Sequence, residues 1–210
     1  MDTKSHVGFW LCVFLVLFLT TPLMRNGTSM EAFVERELAL TKMTFGEKTG
    51  TQLQKQAEKV FELYLPSGPL SGALIKGKDM EITKKVVAGP GVGMTILFNS
   101  YVEGLVLNLF IVALRFFIFL VWFLVLLPVF IATVIDGFTQ RAIKRAEFGA
   151  IRPAAYSIMG MIVVPMTMAP LIYLVVPMPV SPLVSPLWAL LMVLPLSLMI
   201  SNMQPIFGKN

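Results

Sequence analysis

The sequence predicts an all-α integral membrane protein with four transmembrane helices and a small, mostly helical extracytoplasmic domain between the first and second. Three observations carry that prediction. The chain is 56% hydrophobic with a mean hydropathy of +0.79, whereas soluble domains are about 45–50% apolar. The apolar residues are concentrated in Gly8–Met24 and most of Leu105–Ile200, while Arg25–Ser100 interleaves Lys and Glu. The longest run, Leu105–Ile135, has Arg115 as its only charge and closes on Asp136-Gly137 and a basic tract. That tract, Thr139–Arg152, sets Arg141, Lys144, Arg145 and Arg152 against Glu147. An apolar run of about 18 residues or more reads as a transmembrane helix, and a short Lys/Arg-rich loop beside it reads as cytoplasmic.

The elements follow in order. Residues 1–24 form an N-terminal membrane anchor; a cleaved signal peptide is the alternative, disfavoured because Thr20-Thr21-Pro22 is a poor cleavage site. Residues 25–104 form the extracytoplasmic domain, with one helix opening at Ser29 and a second over Thr51–Leu65. In the second, Leu53, Ala57, Val60, Phe61 and Tyr64 recur at helical spacing. Two short helices bury little core alone, so this segment is expected to pack on the membrane, on a second copy or on a partner. Lys76–Gly93 reads as loop, with Gly89-Pro90-Gly91-Val92-Gly93 as turn chemistry. Residues 105–138 form the long second span, 139–153 a cytoplasmic basic loop, and 154–210 the Pro-rich third and fourth spans, Ala154–Val176 and Leu187–Met203. Charge asymmetry sets both termini in the cytoplasm.

A helix over Leu105–Ile135 would be about 46 Å long at about 1.5 Å per residue, against a hydrocarbon core of about 30 Å. With Asp136 at the cytoplasmic boundary, Arg115 falls at the opposite interface. There it is expected to snorkel as an interfacial anchor. Arg141, Lys144 and Arg145 share a helix face at i, i+3, i+4. With Asp136 and Arg152 they form the candidate partner or lipid contact. Lipid attraction explains the bases but not Asp136, which is expected to pair with Arg141 or with a partner's basic group.

Composition removes most enzyme classes. One histidine, His6, and one cysteine, Cys12, leave no intrachain disulfide, histidine metal cluster or Ser-His-Asp triad, so no cofactor and no metal are expected. The formal charge of +5 is mild, and direct nucleic-acid binding is not expected. The prolines of the last two spans fit a transport site or packing kinks. No acidic or basic residue lies between Pro153 and Phe207, which disfavours transport. The fourteen methionines read as apolar packing.

Three blocks point to a family. Ala57-Glu58-Lys59-Val60-Phe61-Glu62-Leu63-Tyr64 precedes Ser67-Gly68. The second block runs from Leu114-Arg115-Phe116 through Leu127-Pro128-Val129-Phe130 to Asp136-Gly137-Phe138 and Arg141–Arg145. The third is Pro165-x4-Pro170-Leu171-Ile172-Tyr173-Leu174 with Pro177 and Pro182. On these the chain resembles the integrating-conjugative-element membrane proteins, whose molecular role is unknown and whose genes often lie near the coupling ATPase. It departs from the family pattern after Tyr156, where Ser157-Ile158-Met159 replaces a more basic stretch. The resemblance implies a bacterial inner-membrane accessory of conjugative, type IV secretion-like DNA transfer with no enzymatic activity. It points to the coupling ATPase or other conjugation membrane proteins as partners, beside the membrane lipid expected from the basic tract and the second copy expected from the outer segment. The alternative is an exclusion or surface-interaction protein of the same mobile element, acting through Arg25–Ser100; a small transporter ranks below both.

Overall fold

The computed structural model describes residues 3–25, 27–64, 92–147 and 152–203. Among them every regular element is α-helical. The order is α1 (Thr3–Met24), α2 (Gly27–Phe45), α3 (Glu47–Tyr64), α4 (Val92–Ala146), α5 (Pro153–Val175) and α6 (Val184–Ser201). Most of Lys76–Gly93, read as loop from the sequence, lies outside the described residues; Val92 and Gly93 already belong to α4. Among the described residues three helical stretches are long and apolar enough to cross a membrane: Ser100–Ala146, Pro153–Val175 and Val184–Ser201. A fourth is reached only if Gly8–Met24 and Ser29–Phe45, bent by 118° at their break, count as one broken span. Large apolar side chains stand exposed along these helices, Leu124, Val125, Ile131 and Ile135 on α4 and Leu187, Leu191 and Leu194 on α6 among them. So much exposed apolar surface fits lipid as its solvent, and the chain is a transmembrane protein.

The helices form two compact units. The first comprises Met1–Ile118 with Leu171–Pro182. Here α2 does not wait for a partner, as its sequence suggested. It buries Met30, Phe33, Val34, Glu37 and Thr41, a stripe at helical spacing, inside its own unit. Gly46, at φ 81°, turns α2 into α3. Gly50 then lets α3 approach α2, since a Cβ there would stand 2.9 Å from the Lys42 Cα. Leu53 and Ala57 are buried on α3.

The second unit comprises Phe119–Pro170 with Leu183–Asn210. Phe119 and Phe130 of α4 pack against Trp188 of α6, with ring centroids 5.4 and 6.1 Å away. Further along both helices, a Cβ on Gly137 would stand 2.8 Å from the Ile200 Cβ. Contacts therefore advance in the same sense along both helices, so α4 and α6 run parallel, as two spans separated by one antiparallel helix must.

The prolines have a common consequence. A proline inside a helix frees the carbonyl four residues before it, and in an apolar medium that oxygen needs a donor. Pro22 frees Phe18, whose oxygen accepts from Asn108 Nδ2 at 2.9 Å. Pro170 frees Met166, whose oxygen accepts from Trp188 Nε1 at 2.6 Å. These two prolines are packing features whose freed groups are satisfied by the neighbouring helix. Trp188→Phe is expected to orphan the Met166 carbonyl and lower stability by about 1–3 kcal/mol, read as an earlier denaturant-unfolding midpoint in detergent. An unchanged midpoint would mean that the bond is energetically idle.

Candidate functional site

The residues singled out in the sequence separate into two constellations, one in each unit. The first centres on Arg115. It is 0% exposed, so it does not snorkel out of the protein, and the expected interfacial anchor is corrected to a buried ion pair. Its Nε donates to Glu37 Oε1 at 2.6 Å. Its Nη1 donates to the carbonyls of Tyr173 (2.9 Å) and Val176 (2.8 Å), and its Nη2 to that of Met178 (2.6 Å). The reason lies in the chain beyond α5. Pro177 has no N–H to return to the Tyr173 oxygen, and Pro179 and Pro182 remove two more donors. The end of α5 is thus a cluster of carbonyls with too few amides, and a guanidinium, with five donors and a positive charge at a helix C-terminus, satisfies it.

Two further residues complete this knot. Glu37 neutralises the charge, and its Oε2 accepts from the Val180 amide at 3.3 Å. Arg25 Nη2 donates to the Pro177 carbonyl at 2.7 Å. The Phe33 ring lies against both cations, 4.4 Å from the Arg25 guanidinium carbon and 5.6 Å from that of Arg115, within cation–π reach. Sequence reasoning missed Glu37, Arg25 and Phe33. The signal was there: an acid at i+4 from Phe33 on an otherwise uncharged stripe, and three prolines within the six residues Pro177–Pro182.

The second constellation holds the predicted contact residues. The α4 helix does not stop at residue 138 but continues to Ala146, so Arg141, Lys144 and Arg145 stand on a helix rather than in a loop. Asp136 does not pair with Arg141, which lies about 140° round the helix from it at 3.6 residues per turn. Its Oδ2 accepts from Ser197 Oγ at 2.7 Å and from Gln140 Nε2 at 2.8 Å. Lys144 turns toward the end of α6, where Nζ donates to Ser201 Oγ and Asn202 Oδ1, both at 3.2 Å. The same Asn202 Oδ1 accepts from the backbone amide of Arg152 at 3.4 Å. Arg145 and Arg152 are exposed, and Arg141 is half-buried. Two of the predicted residues, Asp136 and Lys144, therefore tie α4 to α6, and two present their side chains outward.

An open groove of about 420 Å³ borders this seam. Its walls are apolar, with Val129 from α4 and Val193, Leu194 and Leu198 from α6, and its polar lining is Thr133, Asp136, Gln140 and Ser197. Among the described residues no group of three His, Cys, Asp or Glu side chains is placed to hold a metal.

The sequence pattern of the family described as IncC plasmid conjugative DNA transfer protein DtrJ-like matches residues 75–208. The chain belongs to the DtrJ-like family. That match covers the second and third sequence blocks and leaves the first, Ala57–Tyr64, outside it. It takes in Arg115, the carbonyl cluster after α5, Asp136 and the basic end of α4, whereas Arg25, Phe33 and Glu37 precede it. Among DtrJ-like proteins the chain is thus one whose matched segment includes the whole predicted contact and half of the Arg115 knot. No curated protein and no solved structure is significantly similar to it. Membership makes the chain a conjugative DNA transfer protein, in agreement with the conjugative association that the sequence blocks implied.

Proposed function

We propose that the chain is a non-enzymatic, multi-pass component of the bacterial inner membrane that supports the coupling protein or the channel of a conjugative, type IV secretion-like transfer system. The supporting observation is the basic end of the second unit. Arg145 and Arg152 are exposed there. The proposed topology puts this end and both termini in the cytoplasm, by charge asymmetry, and residues 25–104 outside. The bases meet an acidic surface of the coupling ATPase. Residence of the gene in an integrating element is the narrower form of the same reading, supported by the three sequence blocks.

Deletion of the gene, with mating measured both as donor and as recipient, tests this reading. The expected result is loss of transfer from the deleted donor and unchanged behaviour as a recipient. Normal donation with relaxed exclusion in recipients would overturn it in favour of an exclusion protein.

A further inference from the structure

The groove beside the α4–α6 seam contains a charge that no base among the described residues neutralises. Both hydrogen bonds to Asp136 come from neutral groups, Ser197 and Gln140, and both end on Oδ2. The bases nearest in sequence are committed or turned away. Lys144 is held by Ser201 and Asn202, and Arg141 and Arg145 lie about 140° and about 180° round the helix from Asp136. Asp136 is exposed and lies among apolar walls. It precedes Arg141 along α4, on the apolar side of the bases that mark the head-group level. An acid at such a depth is costly unless a cation or a polar cavity meets it.

We propose that this groove is a docking site for a transmembrane helix of another protein that carries one Lys or Arg near its cytoplasmic end, with that base meeting Asp136. The inference rests on the reading of the chain as a partner-binding membrane component and adds the chemistry of the segment it binds. The groove's shape fits the occupant. From Val129 to Gln140 its α4 wall covers about three helical turns, roughly 16 Å at 1.5 Å per residue, and Leu194 and Leu198 offer an exposed apolar edge. A helix lays a row of side chains along such a trough, and a Lys stem reaches a boundary carboxylate while its own backbone stays in the apolar layer. A phospholipid ammonium would also carry the right charge, but it sits out at the level of Arg141–Arg145 rather than inside them.

The test uses the full chain, fluorescently labelled, in vesicles of phosphatidylethanolamine and phosphatidylglycerol. The probe is a synthetic Leu/Ala transmembrane peptide with a single lysine near one end, and energy transfer reports association. The peptide is expected to associate with the wild-type chain, and a lysine-free peptide is not. Asp136→Asn, which keeps an acceptor for Ser197 and Gln140, is expected to weaken association about tenfold, the size of one polar interhelical contact in a membrane. Leu194→Trp, at a site that is already exposed, fills the groove and is expected to do the same with Asp136 intact. Equal association of the two peptides, or unchanged association with both variants, would overturn the proposal. So would phosphatidylethanolamine that stays bound to purified wild type and is lost from Asp136→Asn while peptide binding persists. Because no mating is involved, failure here leaves the transfer role to be judged by the donor assay alone.

Discussion

Arg115→Lys is expected to be as damaging as loss of the side chain, with little folded protein recovered from the membrane fraction. Lysine keeps the charge but has no planar fork, and here four donor contacts spread over Glu37, Tyr173, Val176 and Met178. Breaking a buried ion pair by removing one partner costs about 3–5 kcal/mol, a large share of the 5–15 kcal/mol that holds an ordinary domain together. Glu37→Leu should fail for the reciprocal reason, leaving a guanidinium unneutralised. The double substitution Arg115→Leu with Glu37→Leu separates two sources of the effect. If the charges alone matter it should recover most of the stability. The carbonyl cluster predicts that it recovers only part, because the carbonyls of Val176 and Met178 lose the donors that Arg115 supplies. Abundance in membranes and the denaturant midpoint of detergent-purified protein are the readouts. A fully tolerated Arg115→Lys would return Arg115 to the role of a simple interfacial anchor.

Gly137→Leu carries the second large effect. The first added atom would stand 2.8 Å from the Ile200 Cβ and 3.2 Å from the Ser197 carbonyl oxygen, and the second neighbour is backbone and cannot swing aside. Small residues at such crossings are what let transmembrane helices meet. Overpacking costs about 1–3 kcal/mol, and forcing α4 and α6 apart also strains Asp136–Ser197 and Lys144–Asn202 on either side. The expected result is a lower unfolding midpoint together with weaker protection of α6 from protease. Gly137→Ala should show a smaller loss of the same kind, and unchanged stability in both would mean that the helices are not in register at this point.

The last three spans were legible in the sequence because lipid exposure leaves a one-dimensional trace, a run of apolar residues. Hydropathy reports the membrane edge, however, and not the end of a helix. The sequence placed the end of the second span at residue 138, yet Gln140, Arg141 and Lys144 are good helix formers with no Gly or Pro among them, and α4 runs on to Ala146. The role of Arg115 was not legible from its own neighbourhood. Its partners are Glu37, 78 residues earlier, and carbonyls 58 to 63 residues later, and only the close packing of α2 and the α5 terminus around one point of α4 brings them together. Depth along the span suggested an interface, whereas the prolines after Val176 decide that a donor-rich side chain be buried there. The equal treatment of Arg141, Lys144 and Arg145 failed for a related reason. Their shared face is real by spacing, but Ser201 and Asn202 cap α6 within reach of Lys144 alone.

The central proposal is that the basic end of the second unit engages the coupling ATPase. Lys144 serves the fold, so the informative variant reverses Arg141, Arg145 and Arg152 to Glu and leaves Lys144 in place. Each exposed pair contributes at most about 1 kcal/mol, which is why the exposed Arg145 and Arg152 and the half-buried Arg141 are reversed together. Removing positive charge can invert a membrane protein, so cysteine labelling at positions 60 and 146, in a chain whose Cys12 is replaced, must first show unchanged orientation. The deciding measurement is then recovery of the coupling ATPase with affinity-purified chain from donor cells. The account predicts that recovery and donor transfer fall together for the triple reversal at normal abundance. Equal recovery with normal transfer would contradict it and leave these arginines as a membrane anchor alone.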